Sequence, residues 1–341
     1  MASHSPIILF HYPHSPFSSR VLYYLALRGI SYDQCIQPQI LPRPDLTRLG
    51  IRYRRIPLLS IGRDVYLDSR LILQRLERID AENPSFAAEG SHEQRGLERL
   101  LEAFTINTSL FSSIAKIVVA STPLMQNEAF MKDRTDMIGG GPGYKFADFV
   151  SSMRPNAILE VKSAIELLET TLLADGRRWL ANSEAPSLAD IEMVWPLHWL
   201  FSIPGAVPEA YISKRLFPRV YAWVDRFQKT VAIEAKSLRT PETLSGKQVV
   251  ERLATAAADE SMDIVDQNDP LVQTHGLQKG QVVQLWPTDS GSRHRTAGRL
   301  VGLTGQEITI ETTEGEISVR VHAPRQGFHV AGLTPEKANL S

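Results

Sequence analysis

An apolar run, Ile7 to Phe10, breaks at His11-Tyr12-Pro13-His14-Ser15-Pro16 and gives way to a helical pattern from Val21 to Arg28. The two prolines interrupt any single element, so the stretch reads as a strand, a turn, and a helix with hydroxyls in its first turn. Ser15, or Ser18 just behind it, then lies beside the unpaired N–H groups and positive dipole end of a helix, where an anion is stabilised. A free thiol titrates near pH ~8.5, and a hydroxyl donor together with a helix N-terminus can hold a thiolate at neutral pH. The only cysteine, Cys35, falls past this helix in the next expected strand, Tyr32 to Gln37. The thiol is therefore expected to come from a ligand.

The motifs Ser15-Pro16-Phe17-Ser18-Ser19-Arg20-Val21, Arg54-Arg55-Ile56-Pro57-Leu58-Leu59 and Leu67-Asp68-Ser69-Arg70-Leu71-Ile72 follow one another in order. Together with Leu27-Arg28-Gly29-Ile30-Ser31-Tyr32 they resemble the N-terminal, thioredoxin-like domain of glutathione transferases. The pattern is closest to the serine-type classes, tau above all. Each motif alone is weak; four in register over roughly eighty residues are specific. The resemblance implies a catalytic hydroxyl at Ser15, with Ser18 the alternate, and a glutathione site built from Tyr12, Arg43, Arg55, Ile56, Pro57, Asp68 and Ser69. In the family the proline equivalent to Pro57 is cis, which frees the preceding backbone for the ligand's cysteinyl unit. Ser69 and its helix N-terminus would take the γ-glutamyl carboxylate, and Asp68 its ammonium. By itself an Asp-Ser pair ahead of an apolar helix is an N-cap. Two departures from the family stand out: Asp68 where it has Glu or Gln, and Ile51-Arg52-Tyr53-Arg54 where it has Asn-Pro-x-Gly or similar.

The arm from Gln37 to Arg55 carries Arg43, Arg48, Arg52, Arg54 and Arg55 against a single acid, Asp45. Solvated loop arginines and a carboxylate site are about equally good readings of any one of them. Arg55, directly before Ile56-Pro57, holds the family's basic position. His14 is expected to face solvent or cap a backbone group.

Residues 5–82 are thus expected as the thioredoxin-like α/β domain, and 92–240 as an all-helical domain, separated by a linker with Pro84. Ile158, Val161, Ile165, Leu168 and Leu172 form a helical stripe, and Ser187 to Asp190 a capping box. A continuous helix is expected from Glu98 to Val119, and Gly139-Gly140-Gly141-Pro142-Gly143 reads as a flexible connection where the family builds its second substrate pocket. Residues 241–269 read as a linker with one helix, and 270–341 as a small, partly open β-barrel-like domain with strands Val282 to Trp286, Gly298 to Leu303, Glu307 to Thr312 and Glu316 to His322. With the Tyr53-Arg54-Arg55-Ile56-Pro57 motif, this extension resembles fungal glutathione-transferase-like proteins. Arg293, His294, Arg295 and Arg299 form a basic cluster, read as solvated because no stacking aromatics interleave.

The balance of 37 basic and 38 acidic residues points away from nucleic acid or a membrane surface, and one cysteine rules out an internal disulfide framework and a Cys-based zinc site. A cytoplasmic protein with no metal is expected. The resemblance implies a homodimer using glutathione as cosubstrate, its thiolate adding, or transiently adding, to an electrophilic apolar metabolite. The alternative is a non-catalytic scaffold acting through the β-rich extension.

Overall fold

The computed structural model describes residues 5–86, 90–141 and 143–333. Pro142 of the glycine-rich run, 87–89 of the linker and 334–341 of the expected β-rich domain lie outside these residues. Strands β1 (Ile7–His11), β2 (Asp33–Ile36), β3 (Leu58–Ile61) and β4 (Asp64–Leu67) form the thioredoxin-like part, with helices α1 (Pro16–Arg28), α2 (Pro44–Thr47) and α3 (Ser69–Leu76). β1 runs parallel to β2 and antiparallel to β3, which pairs antiparallel with β4. α1 starts sharply because Pro16 needs no N–H partner in the first turn. It stops at Gly29, whose φ of 68° suits a residue without Cβ and whose N–H returns to the carbonyls of Leu25 and Ala26.

The helical domain contains α4 (His92–Ile106), α5 (Leu110–Ala120), α6 (Glu128–Met137), α7 (Phe146–Leu167), α8 (Leu188–Phe201) and α9 (Pro218–Glu234). The single helix expected from Glu98 to Val119 is in fact two, broken at Asn107 to Ser109. α8 is apolar nearly all round and buried, as a central helix must be. Its capping box forms, and the same Asp190 carboxylate accepts from Trp223 Nε1 at 2.8 Å and Leu180 N–H at 2.9 Å. Among the described residues no single helix is long and apolar enough to cross a membrane.

The C-terminal region supplies α10 (Gly246–Ala254), α11 (Pro270–His275), β5 (Val282–Pro287), β6 (Thr296–Leu303), β7 (Glu307–Thr312), β8 (Arg320–Pro324) and β9 (Phe328–Gly332). These strands do not stand apart. β8 pairs parallel with β4, Asp64 opposite Arg320 and Tyr66 opposite His322, giving one nine-stranded sheet in the order β2-β1-β3-β4-β8-β7-β6-β5-β9. Side-chain alternation in β1, β3 and β4 then feeds two cores. Leu9, Leu59 and Tyr66 face the helical domain. Ile8, Phe10, Leu58, Val65 and Leu67 face a second core, shared with Val249 and Leu253 of α10 and with Leu300, Ile308, Ile310 and Val321 of the extension. Each fully buried aliphatic side chain contributes about 1.5–3 kcal/mol, so separating the extension would expose a core built from both segments.

The strand expected from Glu316 begins only at Arg320, and β9 has no counterpart among the expected strands. Ile317 and Val319 pack inward from a loop, so their alternation reports burial without ladder pairing.

Candidate functional site

The register gathers the site. Phe10 pairs with Leu58 and Leu58 with Leu67, so the turn after β1, the Ile56-Pro57 pair before β3 and the Asp68-Ser69 pair after β4 share one end of the sheet. Ser15 is the N-cap of α1, its Oγ accepting from Ser18 N–H at 3.4 Å, and it is 2% exposed. Ser18 Oγ is fully buried without a hydrogen-bond partner. His14 is exposed, at φ 65°. The Ile56–Pro57 peptide is cis, and no other described residue bonds to the Ile56 backbone.

Asp68 caps α3 by accepting from Arg70 N–H at 3.0 Å, and its two oxygens take Arg70 Nε at 3.0 Å and Nη2 at 2.9 Å. Burial alone would raise its pKa, but the Arg70 bonds outweigh burial and hold the carboxyl below its usual range. The carboxylate expected to await an ammonium therefore already has a cation.

Ser69 Oγ accepts from Arg20 Nη1 at 2.8 Å. Arg20, fully buried, also donates from Nη2 to Glu192 at 2.5 Å and to Glu102 at 3.0 Å, tying α1 to α3, α4 and α8. Burial pushes the Glu192 carboxyl up to about 7 against the pull of Arg20, and its second oxygen has no partner. Sequence reasoning passes over Arg20. Its signal is a charge in the buried stripe of α1, between Phe17 and Val21. Phe17, two residues from Ser15, leads a ring cluster, 4.5 Å from Phe111 and 4.6 Å from Trp195, the last fully buried in the core.

The arm's arginines find acids far away in sequence. Arg48 pairs with Glu316 at 2.5 Å, Arg52 with Glu314 at 2.9 Å, Arg54 with Asp133 at 2.7 Å and with Asp136, and Arg55 with Asp289. Arg55 also donates to the Ser290 carbonyl from Nε at 2.8 Å. Arg43 is buried, its guanidinium donating to the carbonyls of Pro38 at 3.0 Å, Gln39 at 3.4 Å and Arg54, and lying 5.9 Å from the Tyr12 ring centroid. Burial draws its pKa down to about 10, which leaves it charged at neutral pH. Arg43 is thus brought to Tyr12, but as part of the arm's own packing, and Arg55, expected in the glutathione site, is held on one edge by the extension. No local signal could reveal Asp289, which lies 234 positions away.

Three members of the basic cluster of the extension are also engaged, while Arg299 is exposed. Arg293 donates to the Gly139 carbonyl at 3.0 Å, His294 meets Asp136 at 2.7 Å, and Arg295 stacks 4.1 Å from the Trp286 ring centroid, so an aromatic does lie within the cluster. A cavity of about 750 Å³ opens between α6 and the start of α7, lined by Met131, Lys132, Thr135, Tyr144, Phe146 and Arg293 among others.

Over residues 9–84 the chain matches the family described as the glutathione S-transferase N-terminal domain, and over 113–237 a family described only as a domain of unknown function. No curated protein sequence matches it. Among solved structures it is similar to a GST-like protein from Pseudomonas syringae, with 24% identity and a TM-score of 0.65 over 96% of this chain and 100% of that one. A rice glutathione S-transferase in complex with glutathione is 15% identical, with a TM-score of 0.49 over 74% of this chain and 96% of that one. One from Rhodospirillum rubrum is 20% identical, with a TM-score of 0.48 over 65% and 87%. The Pseudomonas likeness spans the C-terminal strands as well, so the whole chain, extension included, has a glutathione S-transferase-like fold.

Proposed function

We propose that the chain is a glutathione-dependent transferase of the serine type. Glutathione would lie across the end of the sheet. Its γ-glutamyl carboxylate would meet Ser69 and the N-terminus of α3, its cysteinyl backbone would pair with Ile56, and its sulfur would lie by the Ser15 hydroxyl at the start of α1. The observation carrying this reading is the register that gathers Ser15, cis Pro57 and Ser69 at one place. Ser15 and the α1 dipole stabilise the thiolate, and the partly exposed rings of Phe17 and Phe111, backed by the buried Trp195, would give an electrophile apolar surface. The protein's work is stabilisation and juxtaposition. The same thiolate can add and leave again, so isomerisation, dehydration and thiol removal belong to this reading alongside net conjugation. A tau- or omega-like class, kinship with fungal chains bearing an extension, and assembly as a dimer go with it; the dimer predicts a solution mass near twice 38.1 kDa.

Calorimetry with glutathione tests binding, and mass analysis after incubation with a panel of electrophiles tests transfer. A second reading, a non-catalytic scaffold, is favoured by one observation: Asp68 and the arm's arginines already have protein partners. No detectable binding at millimolar glutathione would leave the scaffold standing.

A further inference from the structure

Arg55 has two edges in different circumstances. Its Nε donates to the Ser290 carbonyl at 2.8 Å, and Nη2 donates to the same carbonyl at 2.6 Å and to Asp289. Nη1 has no acceptor among the described residues. The side chain is 19% exposed, so this open edge can reach a ligand.

The loop holding Arg55 is itself fixed to the helical domain. Gly291 N–H donates to the Met137 carbonyl at 2.6 Å, and Asp136 is shared between His294 of the loop and Arg54 of the arm. Gly291 has φ +81°, and a Cβ there would lie 2.9 Å from Arg54 Cγ, so glycine alone lets the loop pack on the arm. Arg54 and Arg55 thus reach in two directions, one to α6 and the other to the extension.

We propose that Asp289 and Ser290 are positioning residues for Arg55. They occupy its Nε/Nη2 edge and present the Nη1 edge to a ligand carboxylate, which is the glycine carboxylate of glutathione if the reading above holds, and this inference rests on it. A guanidinium held in its bound rotamer before the ligand arrives removes an ordering cost from binding. The C-terminal unit then contributes to ligand recognition without touching the ligand.

The test compares glutathione with its monoethyl ester, in which the glycine carboxylate is capped, by calorimetry on the parent, Asp289→Ala, Asp289→Glu and Arg55→Ala. Asp289 is two-thirds exposed, so its replacement leaves the core intact. The parent should prefer glutathione to the ester by about tenfold or more, the worth of a charge-assisted hydrogen bond, and Arg55→Ala should lose that preference. Asp289→Ala should bind glutathione about three- to tenfold more weakly while binding the ester as the parent does, and Asp289→Glu should restore the preference. Unchanged or tighter glutathione binding by Asp289→Ala, with the parent's preference intact, overturns the positioning role and leaves the glutathione reading standing. A parent that binds neither ligand overturns both.

Discussion

Replacing Glu307 by Gln should unfasten the seam between the thioredoxin-like sheet and its extension. Glu307 Oε1 lies 2.5 Å from His322 Nδ1 and Oε2 lies 2.7 Å from Arg75 Nη2, while His322 Nε2 lies 2.8 Å from Asp64 across the β4–β8 pairing. Tyr66 stacks on the imidazole at 4.6 Å between ring centroids, and all the charged members are less than a tenth exposed. An amide of the same shape accepts from only one of the two cations and turns its NH2 toward the other. Breaking a buried pair by removing one partner costs about 3–5 kcal/mol, about a fifth or more of an ordinary domain's stability of about 5–15 kcal/mol. Burial would lower the His322 pKa, but its bonds to Asp64 and Glu307 outweigh burial and raise it. A raised folded pKa contributes stability that is fully present below the unfolded value of about 6.5 and is lost as pH climbs through the folded value. For Glu307 burial is likewise outweighed by His322 and Arg75, and its lowered pKa contributes stability present above about 4.3 and lost as pH falls through its folded value. Urea unfolding followed by circular dichroism should therefore give one transition whose midpoint falls as pH is raised from mildly acidic to alkaline. Glu307→Gln should lower the midpoint throughout, and His322→Gln should remove the alkaline decline. A Glu307→Gln protein within about 0.5 kcal/mol of the parent, or a His322→Gln protein with the parent's pH profile, would refute the argument.

Ser15→Ala should raise the pKa of bound glutathione, seen as lost thiolate absorbance at neutral pH, and cut turnover while leaving affinity nearly unchanged; unchanged turnover would move the role to Ser18 or Tyr12. Arg20→Gln strips the cation between Glu192 and Glu102, and urea unfolding should report a loss of about 3–5 kcal/mol together with weaker glutathione binding, since Ser69 loses its donor. Asp68→Asn should weaken glutathione binding less than Arg55→Ala does, because the Asp68 carboxylate is committed to Arg70; calorimetry giving the reverse order would reinstate an ammonium contact at Asp68.

The turn at Ser15 is legible in the sequence because everything that makes it is local: an apolar run, two prolines, a capping hydroxyl and a helical stripe. The helical domain's capping box is legible for the same reason. Burial patterns also survive, since Ile317 and Val319 face the core as their alternation implies, although a loop carries them there. What fails is pairing between distant segments. The arm reads as a surplus of positive charge because its acids stand far along the chain, Asp136 82 positions from Arg54 and Glu316 268 positions from Arg48. The extension reads as a separate barrel because a strand's own sequence does not name the strand beside it. Nothing in Arg320 to Pro324 points to Asp64 to Leu67, yet their parallel pairing decides the architecture.

That pairing also changes what the departures around Arg52 and Asp68 mean. Taken alone, extra arginines in the arm and a shortened acid ahead of Ser69 look like decay of a ligand site. In the fold, Arg48, Arg52 and Arg55 are the arm's contacts with the extension, and Arg70, which binds Asp68, also donates to the Gln326 carbonyl between β8 and β9 at 3.4 Å. Both ends of the proposed glutathione cradle thus lean on C-terminal loops. A chain cut before residue 241 would leave these arginines without their C-terminal partners and open the core around Phe10, Val65 and Leu67 to water. The extension therefore completes the core of the N-terminal domain and holds the arm's arginines and Arg70 beside the proposed site.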